Sequence, residues 1–201
     1  MSEKPRTKTQ TSDHTMPSIS EIQSEIERVR YRKRYWKSLK SILATLITAA
    51  AVAVLISMLW MPVLEIYGPS MAPTLQEGDI VAAVKNSQFE TGDVVAFYYN
   101  NKILVKRVMA GPGDWIDLRE DGTVYVNGEE IDEPYLQEKA YGNPDIEFPY
   151  QVPEGRWFVM GDHRSVSKDS RNSEIGPIAK EDIVGKLVFR LWPNPGTTGA
   201  D

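Results

Sequence analysis

Three hydropathy regimes follow one another along the chain. Residues 1–17 are polar and read as a disordered tail. Ile19, Ile22, Ile26 and Val29 then recur at helical spacing, which predicts a short amphipathic helix. Ser18 or Ser20 would cap it, with Glu21 or Gln23 completing a capping box. From Ser41 to Leu64 the sequence SILATLITAAAVAVLISMLWMPVL contains no charged residue. As a helix those residues span about 36 Å, at ~1.5 Å per residue. That exceeds a hydrocarbon core of ~30 Å, so the segment is predicted to be a transmembrane helix. Beyond it the period shortens. DIVAAVK, DVVAFYY, KILVKRVMA, TVYVNG, RWFVMGD and DIVGKLVFRLW are short β-branched and aromatic runs. Gly and Asp pairs punctuate them, as do Asp121-Gly122 and Asn127-Gly128.

These regimes define an organisation. Residues 1–40 form a tail and a basic amphipathic helix, and 41–64 an anchor. Residues 66–110 with 156–195 form a β-sheet core, and 111–155 an inserted smaller β subdomain. EDGTVYVNGEEI reads as a hairpin of that insertion, while 132–155 carries four prolines and two glycines and reads as loop. The fold class is mainly β: an N-terminal transmembrane helix followed by an antiparallel β-sheet core.

Charge sharpens the membrane reading. The 201 residues carry a net −5, but residues 1–40 hold 10 Lys/Arg against 5 Asp/Glu, and the remainder is acidic. An acidic globular part argues against nucleic acid as partner. The basic run RVRYRKRYWKSLK before the apolar stretch suits an anionic membrane surface, and puts the N-terminal side in the cytoplasm. Trp36 and Trp60 sit near the ends, where amphipathic rings settle. A cleaved signal peptide has an apolar stretch of only ~7–15 residues behind a short basic start. AVA at 51–53 would pass as a cleavage site, but the 40-residue start and the longer run favour an anchor.

Candidate chemistry narrows by exclusion. There is no cysteine, so no disulfide framework and no cysteine-based metal site. Neither His14 nor His163 lies in an H-E-x-x-H pattern, and no Gly-rich phosphate loop is present. Just past the anchor, YGPSMAPTLQEGD sets Ser70 between Pro69 and Pro73. A serine hydroxyl needs a base to become a nucleophile. The G-x-S-x-G elbow is absent, and no convincing Ser-His-Asp set is found. Lys106 offers another base. On a strand it shares a face with Leu104 and Val108, and an apolar setting lowers an ammonium pKa. The opposite face, Ile103, Val105 and Met109, is apolar too, so alternation does not prove burial, and pattern alone favours Lys106-Arg107 as a solvated surface pair.

The boxes together carry more. GPSMAPTL (68–75), TGDVVAF (91–97), ILVKRVMAGPGD (103–114), GDHRSVSKDSR (161–171) and GKLVFRLWP (185–193) occur in order behind an anchor. In this the chain resembles bacterial type I signal peptidases, membrane-anchored proteases with a Ser-Lys dyad, over about residues 40–193. The resemblance implies Ser70 as nucleophile and Lys106 as general base. It implies that Ser167 hydrogen-bonds and orients the lysine amine, that Asp169 and Arg171 form a supporting ion pair, and that Asp162 pairs with Arg107. Gly68, Pro69 and Met71 would bind substrate, Met71 packing against membrane or substrate. Two departures are visible. Gly68 stands where some members carry an oxyanion-binding serine, which leaves that task to backbone N–H groups. His163 stands where the final box usually has asparagine.

The implied substrates are preprotein signal peptides, held as an added β-strand with small residues at the first and third positions before the cut. The implied partners are the lipid bilayer and, transiently, the secretion machinery; no metal or cofactor is implied. Trp192, Leu191 and Phe97 could form an apolar rim touching lipid, but core packing is the expected role for most of them. A Ser-Lys processing peptidase for conjugative or pilus proteins is the competing function. A self-cleaving repressor would need a DNA-binding domain that residues 1–40 do not supply, and a non-enzymatic anchored β domain would not need Lys106 buried.

Overall fold

The computed structural model describes residues 19–85 and 88–198; the expected tail and the Ser18 cap lie outside the described residues. The described residues divide into two compact units, with the boundary after Ala53. Helix α1 runs Ile19–Trp60 without a break, so the basic amphipathic segment and the apolar segment are one element, and Ser20 lies inside it rather than at its cap. Among the described residues it is the one helix long and apolar enough to cross a membrane, over Ile22–Leu55. It ends earlier than the expected anchor. Pro62 lacks the N–H a helix needs and disfavours helix in the residue before it. Val63 and Leu64 therefore enter a strand, β1 (Val63–Glu65).

Eight strands build the large sheet. They are β1, β2 (Ile80–Val84), β3 (Val94–Tyr99), β4 (Lys102–Ala110), β9 (Arg156–Met160), β10 (Ile178–Ala179), β11 (Ile183–Trp192) and β12 (Gly196–Thr197). Their order is β1-β2-β11-β3-β4-β9-β10, with β12 on β11, and every pairing is antiparallel. The smaller sheet takes β5 (Trp115–Leu118), β6 (Val124–Val126), β7 (Glu129–Glu130) and β8 (Tyr150–Gln151), in the order β7-β6-β5-β8. Mainly antiparallel β structure behind an N-terminal helix is thus borne out. The hairpin read from EDGTVYVNGEEI is present: Val126 faces Glu129, and Asn127 and Gly128 both take positive φ, as a two-residue turn demands. Strands β1, β5 and β8 were not separately legible, because each is short and follows a proline or glycine turn.

Alternation along the central strands explains their unbroken apolar runs. On β3, Val94 and Ala96 enter one cluster with Met71, Leu75, Val81 and Leu187. Val95 and Phe97 enter another with Val108, Val159 and Ile178. The strand is buried on both faces, so both sets of positions are apolar. Phe97 is fully buried and packs in the core, whereas Leu191 and Trp192 are exposed. A third cluster joins the sheets: Met109, Phe158 and Met160 from the large sheet meet Ile116, Leu118 and Val124 from the small one. Phe158 sits at its centre, edge-on to Phe148. Phe158→Ala is expected to destabilise the protein by about 3–5 kcal/mol, the usual cost of emptying an aromatic core site, read from the denaturant midpoint.

Candidate active site

Ser70 and Lys106 meet although 36 residues separate them: the Lys106 Nζ donates a hydrogen bond to the Ser70 Oγ at 2.8 Å. Two local structures bring them together. The stretch after β1 folds into tight turns, Ala72 N–H to Pro69 O at 3.0 Å and Leu75 N–H to Met71 O at 2.9 Å. Met71 and Leu75 anchor those turns in the core, each 1% exposed, so the half-buried Ser70 is held by its neighbours' burial. Lys106 comes from β4, between Leu104 and Val108, which pack in one cluster. It is 3% exposed. Its amine also donates to the carbonyl of Val105 at 2.9 Å. Loss of hydration pushes its pKa down to about 8; the carboxylates of Asp169 and Asp162 work against this, and Arg171 adds to it.

A cleft of about 740 Å³ opens beside Ser70. Its walls are Val63–Tyr67, which contains β1, and 101–105, the start of β4. Strand β1 is paired only to β2, and β4 pairs with β9 only from Arg107 onward. Two strand edges therefore carry no partner along the cleft among the described residues. Met71 lines this cleft from its core side. The expectation that it packs against membrane is corrected: a side chain 1% exposed belongs to the core. Gly68 and Pro69 join Tyr67 to Ser70 and are not among the cleft-lining residues.

The segment after β9 closes the site from the other side. His163 N–H donates to the Ser70 carbonyl at 3.0 Å. Gly161 is in close contact with both Ser70 and Ser167: a Cβ there would meet the Ser167 side chain and lie 2.5 Å from the Ser70 carbonyl oxygen. The segment is fixed by buried charge. Arg107 and Asp162 pair at 2.7 Å with both side chains fully buried, and Thr74 donates to Asp162 at 2.5 Å. Arg171 and Asp169 pair at 2.9 Å, and Asp169 accepts the Gly161 N–H at 3.0 Å. Arg171 also donates to the carbonyls of Tyr141 and Arg164. Both ion pairs expected from the motif are present.

One expected contact is absent. The Ser167 Oγ is buried without a hydrogen-bond partner, and no bond runs from it to Lys106. The lysine amine is directed to the Ser70 hydroxyl and the Val105 carbonyl instead. The Nδ1 of His163 is likewise buried and unpartnered. Three residues went unseen in the sequence. Arg164, inside the final box, forms a fully buried pair with Glu133, and Tyr135 donates to Glu133 at 2.9 Å. Glu133 and Tyr135 lie in the proline-rich stretch, which has no periodicity to flag them. The four charges of Arg107–Asp162 and Arg164–Glu133 were legible as charges but not as buried ones.

A family model described as "Signal peptidase, peptidase S26" matches residues 39–192. Signal peptidase IB of Staphylococcus aureus (strain N315) is 42% identical over 148 residues, covering 64% of this chain and 76% of that protein. Thylakoidal processing peptidase 1, chloroplastic, of Arabidopsis thaliana is 39% identical over 166 residues, covering 72% and 47%. A solved signal peptidase I from Enterococcus faecalis V583 is 29% identical, with a TM-score of 0.44, covering 51% of this chain and 98% of that one. The chain is a serine endopeptidase. It belongs to the signal peptidase family, peptidase S26, as its motifs foretold, and membership implies preprotein substrates and the removal of their signal peptides.

The buried pairs make a stability test. Asp162→Asn leaves the Arg107 guanidinium buried without its counter-charge, which is expected to cost about 3–5 kcal/mol, measured by chemical denaturation. Gly161→Ala is expected to lower the melting temperature, because the added methyl meets a backbone oxygen that cannot swing away.

Proposed function

We propose that the protein is a membrane-anchored signal peptidase in which Ser70 is the nucleophile and Lys106 the general base. The observation that carries this reading is the 2.8 Å contact between the Ser70 hydroxyl and an amine that is almost wholly buried. With a pKa near 8, about a tenth of the amines are neutral at pH 7. In that form Nζ keeps a hydrogen on the Val105 carbonyl and turns its lone pair to Ser70, whose O–H then donates to it. An unperturbed lysine would be neutral about once in 2,500 molecules.

Catalysis then follows from position. The signal-peptide segment lies in the cleft as an added strand, its backbone bonding to the free edges of β1 and β4. Small side chains at the first and third positions before the cut suit the apolar wall of Ile66, Met71, Leu104 and Val105. Lys106 takes the Ser70 proton as Oγ attacks the scissile carbonyl. The Ser70 backbone N–H is a donor for the oxyanion, since Gly68 has no hydroxyl to offer. The protonated Lys106 passes its proton to the leaving amine, giving an ester on Ser70. Water, deprotonated by the same amine, then hydrolyses it. Asp169, Arg171, Asp162 and Arg107 hold the surrounding segment in place, and Ser167 packs beside Ser70 and Gly161.

The apolar part of α1 would anchor the enzyme in the same bilayer as the signal peptide. The basic residues at 28–40 favour a cytoplasmic N-terminus and an extracytoplasmic peptidase unit. Processing of conjugative or pilus proteins by the same dyad has no observation in its favour here.

Purified protein in detergent is expected to cleave a preprotein after an A-x-A sequence, and Ser70→Ala and Lys106→Ala to lose that activity; cleavage retained by either variant removes that residue from its role. The pH dependence has a definite sign. Activity needs the neutral amine, so kcat/KM should rise with pH along a single-proton limb with a midpoint about 8. A midpoint near ~10.4, the ordinary lysine value, would mean an exposed ammonium instead.

A further inference from the structure

Two buried ion pairs flank His163, the residue whose N–H holds the Ser70 carbonyl. Asp162, just before it, pairs with Arg107. Arg164, just after it, pairs with Glu133 and donates to the Gly161 carbonyl. The pairs reach different parts of the fold. Arg107 lies on β4, next to Lys106, and Asp162 also accepts from Thr74 in the Ser70 segment. Glu133 belongs to the loop that follows β7. The side chain of Tyr135 touches both pairs. The Tyr135 hydroxyl donates to Glu133 Oε1 at 2.9 Å, and its ring lies 3.8 Å beneath the Arg107 guanidinium. Burial, and then the Glu133 carboxylate, push its phenol above the usual range, so it keeps the proton it donates. A cation over an aromatic face is attracted to the ring, more strongly where water is excluded.

We propose that Tyr135 is a positioning residue for the Ser70 nucleophile, tying the two ion pairs together so that residues 161–164 are held against the Ser70 carbonyl. The tie rests on the Ser70–Lys106 reading above and adds a residue from outside the motifs. Its physical basis is pre-organisation. The nucleophile must stand within a fraction of an ångström of its attacking position, and the loop that fixes its carbonyl is itself held at both ends. Loosening that loop leaves the cleft walls of β1 and β4 untouched, so the loss should fall on kcat and not on KM.

The test measures kcat and KM separately on a preprotein-derived peptide, with the full chain in detergent, well below each variant's melting temperature. Tyr135→Phe removes the bond to Glu133 but keeps the ring over Arg107. Its kcat is expected to fall about fivefold, with KM close to that of the unchanged protein and a modestly lower melting temperature, and Tyr135→Leu, which loses both contacts, to fall about a hundredfold, the scale on which a misplacement of ~1 Å acts. Unchanged kcat in Tyr135→Phe, or a loss carried by KM alone, overturns the proposal. Should the Leu variant not fold, the Phe variant still decides. Ser70→Ala is run beside them: if it cleaves, the Ser70 reading fails whatever Tyr135 does.

Discussion

Removing an amine from water is the constraint around which this protein is arranged. Lys106 sits on a strand whose neighbours on both faces are apolar, and its charged form is disfavoured there by lost hydration. The compensation is small and specific: a carbonyl from the preceding residue and a serine hydroxyl. Two carboxylates stand near enough to raise its pKa, so burial has to outweigh them, and it does. Core packing and chemistry are therefore the same problem here. Burial keeps water from the amine, and the keeping out of water is what brings a lysine's pKa toward neutral pH.

The buried charges serve the opposite purpose. Arg107, Asp162, Arg164, Glu133, Arg171 and Asp169 all lie within a few per cent of full burial. Such pairs contribute little net stability, because desolvation offsets their attraction, yet each is costly to break. What they contribute is definition. Arg171 alone bonds to Asp169 and to the backbone carbonyls of Ala140, Tyr141, Arg164 and Ser167, which welds the stretch around 140 to the stretch around 164. A loop with little regular structure is thereby given the rigidity of a strand. Its carbonyls and amides then stay where Ser70 requires them.

Much of this was legible in the sequence, and the limits of legibility have physical causes. Strands β2, β3, β4, β6, β9 and β11 announced themselves by β-branched and aromatic runs, and the apolar part of the helix by its absence of charge. Ser70 and Lys106 were found because a proline-braced serine and a lysine among aliphatic residues recur together with ordered boxes. Whether Met71 and Phe97 face lipid or core was not legible, because a large apolar residue beside a membrane segment looks the same in either place; only the fold decides. Tyr135 and Glu133 were invisible because their importance is purely tertiary. They belong to a stretch without period, and their partners are 28 residues and more away in sequence. The expected bond from Ser167 to Lys106 shows the limit of carrying a contact over from a motif: the residue is in place, but the amine is turned elsewhere.

The open edges of β1 and β4 carry a liability of their own. An unpaired strand invites any extended chain, including another copy of itself, and such pairing is a route to aggregates. Here the stretches that line the opening bear Glu65 on one side and Lys102 on the other, both exposed. Ionised side chains on an edge make indiscriminate sheet growth unfavourable, so an opening flanked by two unpaired edges is guarded against becoming a seed.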